Sequence, residues 1–305
     1  MRDQRLAGSA HRRCSGFTLV ELLVVMAVSG LLITSLLGVV SSSQRLYAVD
    51  TARGAINQDV SIALTAITND ARELGEQTNS DFPALVVTGT ALSRVLTIRR
   101  NLLDIVLPVC KDIKGGSNTD VVFISKNGGD SAPTDCQSSS AAAGFQKWID
   151  YRNANGGTVN AFIYDPVTGL GENFIYDAED NSGQHIHKSG PNWINDYPGV
   201  DNPRVYVLEQ HTYSLNSGTL YLTDGTGAPQ AYMPNVVSFE VSPYVLNATN
   251  TPVAITGDFP PSDKNWKDLT SLQVRLTGTV RAGVTTVQRS FTSNFTPRNV
   301  YSADQ

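Results

Sequence analysis

Apolar side chains run almost without interruption from Phe17 to Val40, a stretch of 24 residues that holds one charged group, Glu21. An α-helix of this length extends about 36 Å, which is enough to cross a hydrocarbon core of about 30 Å. The pattern therefore predicts a membrane-spanning helix over residues 17–40.

A periodic pattern follows this stretch. Apolar residues recur three or four positions apart, which is typical of one stripe along an α-helix. They are Ile56, Val60, Leu64, Ile67, Ala71 and Leu74. Polar residues such as Gln58, Asp59 and Arg72 fall between them, and Gly75 suits the end of a helix. We predict an amphipathic helix over residues 41–75 whose apolar stripe packs on a sheet.

After Gly75 the pattern changes to short alternating segments bounded by turn residues, which is typical of strands. The predicted strands are Leu85–Thr88, Arg94–Arg99, Ile105–Val109, Asp120–Ser125, Val159–Tyr164, Asn173–Asp177, Arg204–Leu215, Thr219–Thr223, Asn235–Val245, Ser271–Val280 and Val287–Phe295. Turns are predicted at 216–218 and 224–227, and a short helix at Phe145–Arg152. The predicted fold class is α+β: a long N-terminal helix packed on a β-rich, mainly antiparallel head over residues 76–305.

Charge is spread unevenly along the chain. Residues 1–16 hold four arginines and one aspartate, so they carry +3 of a net charge of −5, and the rest carries −8. An acidic body argues against broad nucleic-acid binding, which depends on cations that neutralise phosphates, but leaves a local basic patch open. The arginines before the apolar stretch favour a cytoplasmic N-terminus.

Two simple explanations of the apolar stretch leave Glu21 unexplained. A secretory signal has a shorter apolar run, although Ser41–Ser43 resembles a cleavage site. A plain single-pass anchor fits the length. In both cases a carboxylate inside the membrane costs a few kcal/mol. No cationic residue lies within helical reach of Glu21 inside this stretch, so its charged partner is expected from elsewhere.

The residues from Gly16 to Glu21, with the sequence GFTLVE, resemble the class III signal of type IV prepilins and type II secretion pseudopilins. The resemblance implies a pilin-like fold and a leader, residues 1–16, that prepilin peptidase removes between Gly16 and Phe17. It also implies methylation of the new Phe17 amine. In an assembled filament, Glu21 of one subunit would then neutralise the Phe17 ammonium of another.

Shorter matches favour a subtype. The Asp70–Gly75 segment, the NVVSF sequence of 235–239 and the closing Arg298–Asn299 pair are similar to PilW-type minor pilins, although Glu76 stands where an aromatic residue is usual. Residues 110–200 match no pattern and form a variable region.

This resemblance implies a minor pilin that primes a type IV pilus at or near its tip. Its expected partners are prepilin peptidase, other minor pilins, the major pilin and the inner-membrane assembly platform. It would cross the inner membrane once, with a periplasmic head, and reach the cell surface after assembly. The alternatives are a J-like pseudopilin of type II secretion and a tip subunit for adhesion or DNA uptake, which leaves nucleic-acid binding open.

The cysteine count fits the implied cleavage. The chain has Cys14, Cys110 and Cys136, and cleavage after Gly16 removes the first. The other two can form a disulfide between residues 26 positions apart, which contributes about 3 kcal/mol in an oxidising compartment. The alternative is two free thiols.

One segment of the head is dense in possible metal ligands. Asp177, Glu179 and Asn181 alternate like the start of a calcium loop, and His185 and His187 share one side of a strand. The glycine comes one position late and no carboxylate closes the loop, so we predict a solvated loop with no metal or cofactor. No catalytic motif occurs, and no enzyme is predicted. Aromatic residues between 145 and 213 are predicted to form a core rather than a sugar- or strand-stacking surface.

Overall fold

A computed structural model of the chain describes residues 18–125, 136, 138–180 and 184–299. The Cα positions form two compact units. Among the described residues, one consists of 18–53 with 281–287, and the other of those between 54 and 280 together with 288–299. The first unit contains the N-terminal part of a long helix, and the second contains nearly all of the β structure.

The first element is a continuous α-helix, α1, from Leu19 to Arg72. Gly38 does not interrupt it. In the second unit its buried side chains are Ile56, Val60, Ala63, Leu64, Ile67 and Ala71. The predicted apolar stripe is therefore confirmed, since a period of three to four residues places these side chains on one face. The helix ends two residues before the predicted Leu74, which is itself fully buried.

Fifteen strands lie in the described part of the head. In chain order they are β1 Leu85–Thr90, β2 Ser93–Asn101, β3 Leu107–Pro108, β4 Val121–Phe123, β5 Val159–Tyr164, β6 Gly171–Asp180, β7 His185–Ser189, β8 Arg204–Tyr206, β9 Leu208–Asn216, β10 Thr219–Asp224, β11 Gln230–Pro234, β12 Val236–Leu246, β13 Pro252–Ala254, β14 Leu269–Ala282 and β15 Thr285–Phe295. A second helix, α2, extends over Ser138–Ala154.

The strands form two sheets. The larger has the order β11-β10-β9-β2-β12-β14-β15, with β1 also on β2 and β13 also on β12. The smaller has the order β3-β8-β5-β6-β7-β4. The pairings whose residue register is described are antiparallel except for one parallel bridge between Ser93 and Phe239. The predicted class, a long apolar helix followed by a mainly antiparallel β head, is confirmed.

Each sheet has its own core. The stripe of α1 packs with buried residues of the larger sheet, among them Leu96, Phe239 and Leu276. The smaller sheet and α2 share a second core. Its largest fully buried side chains are Trp148, Tyr176, Trp193 and Tyr197. The aromatic residues of this region therefore form a core, as predicted.

One predicted strand is wrong in a way that defines the architecture. The continuous strand over Arg204–Leu215 is two strands, β8 in the smaller sheet and β9 in the larger one. Asn101, 2 % exposed, fixes the change of sheet. Its Oδ1 accepts from the Val207 N–H at 3.0 Å, and the Val207 carbonyl accepts from the Leu102 N–H at 2.8 Å.

Other boundaries differ locally. Three strands were not predicted, β7, β11 and β13, and α2 is longer than the predicted Phe145–Arg152. The predicted turn at 216–218 is confirmed and joins β9 to β10 in a hairpin: Asn216 pairs with Thr219 across Ser217 and Gly218, which have φ of 48° and 76°. Positive φ at both central residues matches the twist of antiparallel strands.

Candidate functional site

The first described residues form the start of α1. The Thr18 carbonyl accepts from the Leu22 N–H at 3.2 Å, which makes Thr18 the N-cap residue. Glu21 Oε2 accepts from the Thr18 N–H and from Thr18 Oγ1, both at 2.9 Å, and the Glu21 N–H donates to Thr18 Oγ1 at 3.3 Å. This reciprocal arrangement is a capping box, which satisfies backbone donors that the first turn leaves free.

Sequence reasoning missed this local partner of Glu21. The signal was present, because Thr followed three residues later by Glu is the capping-box pattern. Both bonds from Thr18 reach Oε2, so Oε1 is left without a hydrogen bond among the residues that the structure describes. The carboxylate can therefore cap its own helix and still accept a hydrogen bond from another group.

An exposed apolar surface follows the capping box. The large apolar side chains from Leu19 to Val40 are between 50 % and 79 % exposed. Over the described residues, α1 is the one helix long and apolar enough to cross a membrane, by length and composition. Polar residues become frequent from Ser41 onward, and Arg53 pairs with Asp50 at 3.2 Å on the exposed surface. Such a surface needs lipid or other helices around it.

The other end of α1 is fixed to the larger sheet by Asp70. Its Oδ2 lies 2.8 Å from His211 Nδ1 and accepts from the Tyr213 hydroxyl at 2.6 Å, both on β9. The hydrogen bond to Asp70, opposed in part by burial, raises the pKa of His211, and the charges of Glu209 and Asp224 add to this. Burial and the same carboxylate raise the pKa of Tyr213.

A second polar contact lies beside the first. Arg100 of β2 pairs with Glu73 at 2.5 Å and with Glu209, and Glu76 lies 3.7 Å away. Arg100 and the acidic residues around it therefore join the segment directly after α1 to two neighbouring strands.

The chain leaves α1 through a crowded glycine. Gly75 has φ of +69°, and a Cβ built there would lie 2.0 Å from the Trp266 ring. Its N–H donates to the Arg99 carbonyl of β2 at 3.0 Å, so this N–H bonds to the sheet and does not cap the helix. Asn299 donates to the Leu74 carbonyl at 3.0 Å. Three residues of the PilW-like matches, Asp70, Gly75 and Asn299, thus lie at one helix end.

Cys110 and Cys136 are joined in a disulfide, with Cα atoms 5.6 Å apart. Both residues are buried, and the Cys110 N–H donates to the Phe123 carbonyl at 2.8 Å. The bond ties the segment before α2 to the smaller sheet.

The metal-ligand candidates are engaged in other contacts. Glu179 accepts from Arg152 Nε and Nη2, each at 2.8 Å, and from the Tyr176 hydroxyl at 2.7 Å. The Asp177 carbonyl accepts from Arg152 at 3.2 Å. These bonds hold α2 against β6.

His185 and His187 both lie on β7, which pairs with β4. The rings of His185 and His187 have centroids 5.0 Å apart, and His187 Nδ1 lies 3.9 Å from Asp120. Within the described residues, no group of three His, Cys, Asp or Glu side chains is placed to hold a metal ion. Asn181 lies outside the described residues, as do Gly16 and Phe17, the predicted cleavage and methylation positions.

Comparison with known proteins gives two findings. The family model described as the prokaryotic N-terminal methylation motif matches residues 11–37. Among solved structures, the chain is similar to a type IV-like pilin from Thermus thermophilus, with 10 % identity, coverage of 80 % of this chain and 98 % of that chain, and a TM-score of 0.34. No curated protein matches the chain.

The chain therefore combines a prokaryotic N-terminal methylation motif, the long apolar helix that continues from it, and a mainly antiparallel β head. The motif implies processing by prepilin peptidase and assembly with other pilins. The apolar helix is compatible with membrane anchoring.

Proposed function

We propose that the chain is a minor pilin of the PilW type that primes assembly of a type IV pilus at or near its tip. The observation that carries the proposal is the exposed apolar surface of α1 directly behind the methylation motif. Lipid covers this surface before assembly. Helices of other subunits cover it afterwards, because apolar area exposed to water costs about 25 cal/mol per Å².

Glu21 sets the register of that assembly. Prepilin peptidase cleaves between Gly16 and Phe17, and the methylated Phe17 amine lies at the new N-terminus. Glu21 Oε2 is occupied by Thr18, and Oε1 accepts from the Phe17 ammonium of a neighbouring subunit. A buried ion pair contributes little net stability but penalises every register in which one charge is left unpaired.

The subtype is supported at the other end of α1. The residues that resemble PilW-type minor pilins make the bonds that connect the helix to the head, through Asp70, Gly75 and Asn299. A subunit that primes assembly must transmit force between its helix and its head, and these bonds serve that purpose.

The proposal also sets the location and the partners. The helix crosses the inner membrane once, with the head in the periplasm, where the Cys110–Cys136 disulfide is stable. The partners are prepilin peptidase, other minor pilins, the major pilin and the inner-membrane assembly platform. After assembly the subunit is on the cell surface.

Deletion of the gene in its own host tests the priming role. We expect a sharp fall in the number of surface pili by electron microscopy, restored by a plasmid copy of the wild-type gene. Secretion of type II substrates should not change. Loss of secretion with normal pili would instead identify a J-like pseudopilin, and normal pili that fail to bind surfaces or DNA would identify a tip receptor.

A further inference from the structure

A polar cavity of about 330 Å³ lies where the two sheets meet. Asn160 of β5 and Asn173 of β6 line it from the smaller sheet, and Leu208 and Gln210 of β9 line it from the larger one. The turn from Asp224 to Gly227 forms its remaining wall. Its volume falls in the range of small-molecule sites, about 300–1,000 Å³.

Two of the lining amides are free. Asn160 lies opposite Ile175 and Asn173 lies opposite Phe162 in the same antiparallel pair, so both amides project from one face of the smaller sheet. Both are exposed, and neither side chain makes a hydrogen bond to another residue in the described part of the chain. Each offers a carbonyl acceptor and an amino donor to a ligand.

A third amide is held in place by the fold. Gln210 Oε1 accepts from Arg99 Nε at 2.6 Å, and Arg99 also donates to the Pro83 carbonyl at 2.8 Å. A guanidinium has donors only, so the oxygen of Gln210 must face Arg99 and its amino group must face away. Gln210 therefore presents an oriented donor whose position is set before any ligand arrives.

The charge of the wall limits the ligand. Asp224 is the one ionised group among the lining residues, and no lysine or arginine is among them. An anionic ligand would meet repulsion from Asp224. The nearest basic side chains are already bonded elsewhere, Arg99 to Gln210 and the Pro83 carbonyl, and His211 to Asp70. The Thr226 hydroxyl and the aliphatic side chain of Leu208 complete the lining. Neutral amides, one carboxylate, one hydroxyl and one aliphatic surface together suit a neutral compound with several hydroxyl groups and a C–H face.

We propose that this cavity binds a neutral saccharide unit, with ring hydroxyls bonded to Asn160, Asn173, Gln210 and the Asp224 carboxylate, and with a C–H face against Leu208. The lining contains no aromatic residue on which a ring can stack, so a single sugar unit should bind with a dissociation constant of about 1 mM. This site does not depend on the assembly role, and it would place sugar binding in the head.

The test uses the full-length chain in phosphatidylcholine nanodiscs, since glycoside detergents would present sugar to the cavity. Glucose, galactose and mannose are titrated by saturation-transfer difference NMR, each alongside a uronate of the same size. We expect at least one hexose to saturate and its uronate to bind more weakly. Asn160→Ala and Asn173→Ala should each lower the affinity about fivefold, the value of one hydrogen bond.

Gln288→Ala is the matched control. Gln288 is an exposed amide on β15, four strands from β9 in the larger sheet, and its loss should leave the affinity unchanged. Melting temperatures of the three variants should equal that of the wild type, because all three side chains are exposed. The proposal fails if no hexose saturates up to about 50 mM. It also fails if the Asn160/Asn173 double variant binds like the wild type, or if the uronates bind more tightly.

Discussion

Replacement of Asp70 by alanine should weaken the junction between α1 and the larger sheet. Two hydrogen bonds to one carboxylate oxygen are lost, from His211 at 2.8 Å and from the Tyr213 hydroxyl at 2.6 Å. Bonds to a charged group contribute about 1.5–3 kcal/mol each. Tyr213 is 1 % exposed, so water does not fully replace its partner.

The two bonds are not independent, because they share one oxygen atom and Asp70 itself is partly exposed. We therefore expect a loss of about 3 kcal/mol in the free energy of unfolding at pH 6. For a head of this size that corresponds to about 6–12 °C in the melting temperature. Thermal and urea unfolding of the full chain in nanodiscs, followed by tyrosine and tryptophan fluorescence, measure both quantities.

Asp59→Ala is the control for this experiment. Asp59 lies on the exposed side of the same helix, and its removal should change the free energy of unfolding by less than about 0.5 kcal/mol. If Asp70→Ala and Asp59→Ala unfold at the same urea concentration, the contacts of Asp70 do not hold the helix to the sheet, and the reasoning is refuted.

Three further predictions concern charge, processing and redox state. Because Asp70 raises the pKa of His211, this pairing stabilises the head fully below the unfolded pKa of about 6.5 and loses its effect as the pH rises through the higher folded value. The difference in urea midpoint between the wild type and His211→Asn should therefore be larger at pH 6 than at pH 8.5, and equal differences would contradict this. Glu21→Ala should still be processed and inserted, because the membrane penalty of the carboxylate disappears, but fewer pili should be visible by electron microscopy; normal piliation would disprove the pairing with the Phe17 amine. Non-reducing gels and thiol labelling should show no free thiol at Cys110 or Cys136, and replacement of both by serine should lower the free energy of unfolding by about 3 kcal/mol; labelling of both thiols in untreated protein would rule out the bond.

The sequence predicted the helix well, because its pattern depends on neighbours three or four positions away. The stripe from Ile56 to Ala71 is buried as its period required. The same local patterns could not predict that the strand is divided at Val207 into β8 and β9. No Gly, Pro, Asn or Asp interrupts the segment from Arg204 to Leu215, and the change of sheet is fixed by Asn101, which is more than one hundred residues away in the chain.

The sites show the same limit. The motif at Glu21 can be predicted from the sequence because its residues are close together in the chain. The cost of the Glu21 charge was predicted, but its capping bond to Thr18 was not. For Asp70 the sequence showed only a resemblance to PilW-type minor pilins. Its hydrogen bonds could not be predicted, because its partners on β9 lie more than 140 positions away. The polar cavity is formed by two sheets, and no local pattern in either one marks it.

The most direct test of the pilin account is the mature N-terminus of the protein from its native host. Mass spectrometry of N-terminal peptides should find a chain that begins at Phe17 with a methylated amine, and no peptide from residues 1–16. An intact leader in cells with active prepilin peptidase, or a mature chain that begins after Ser43, would contradict the account.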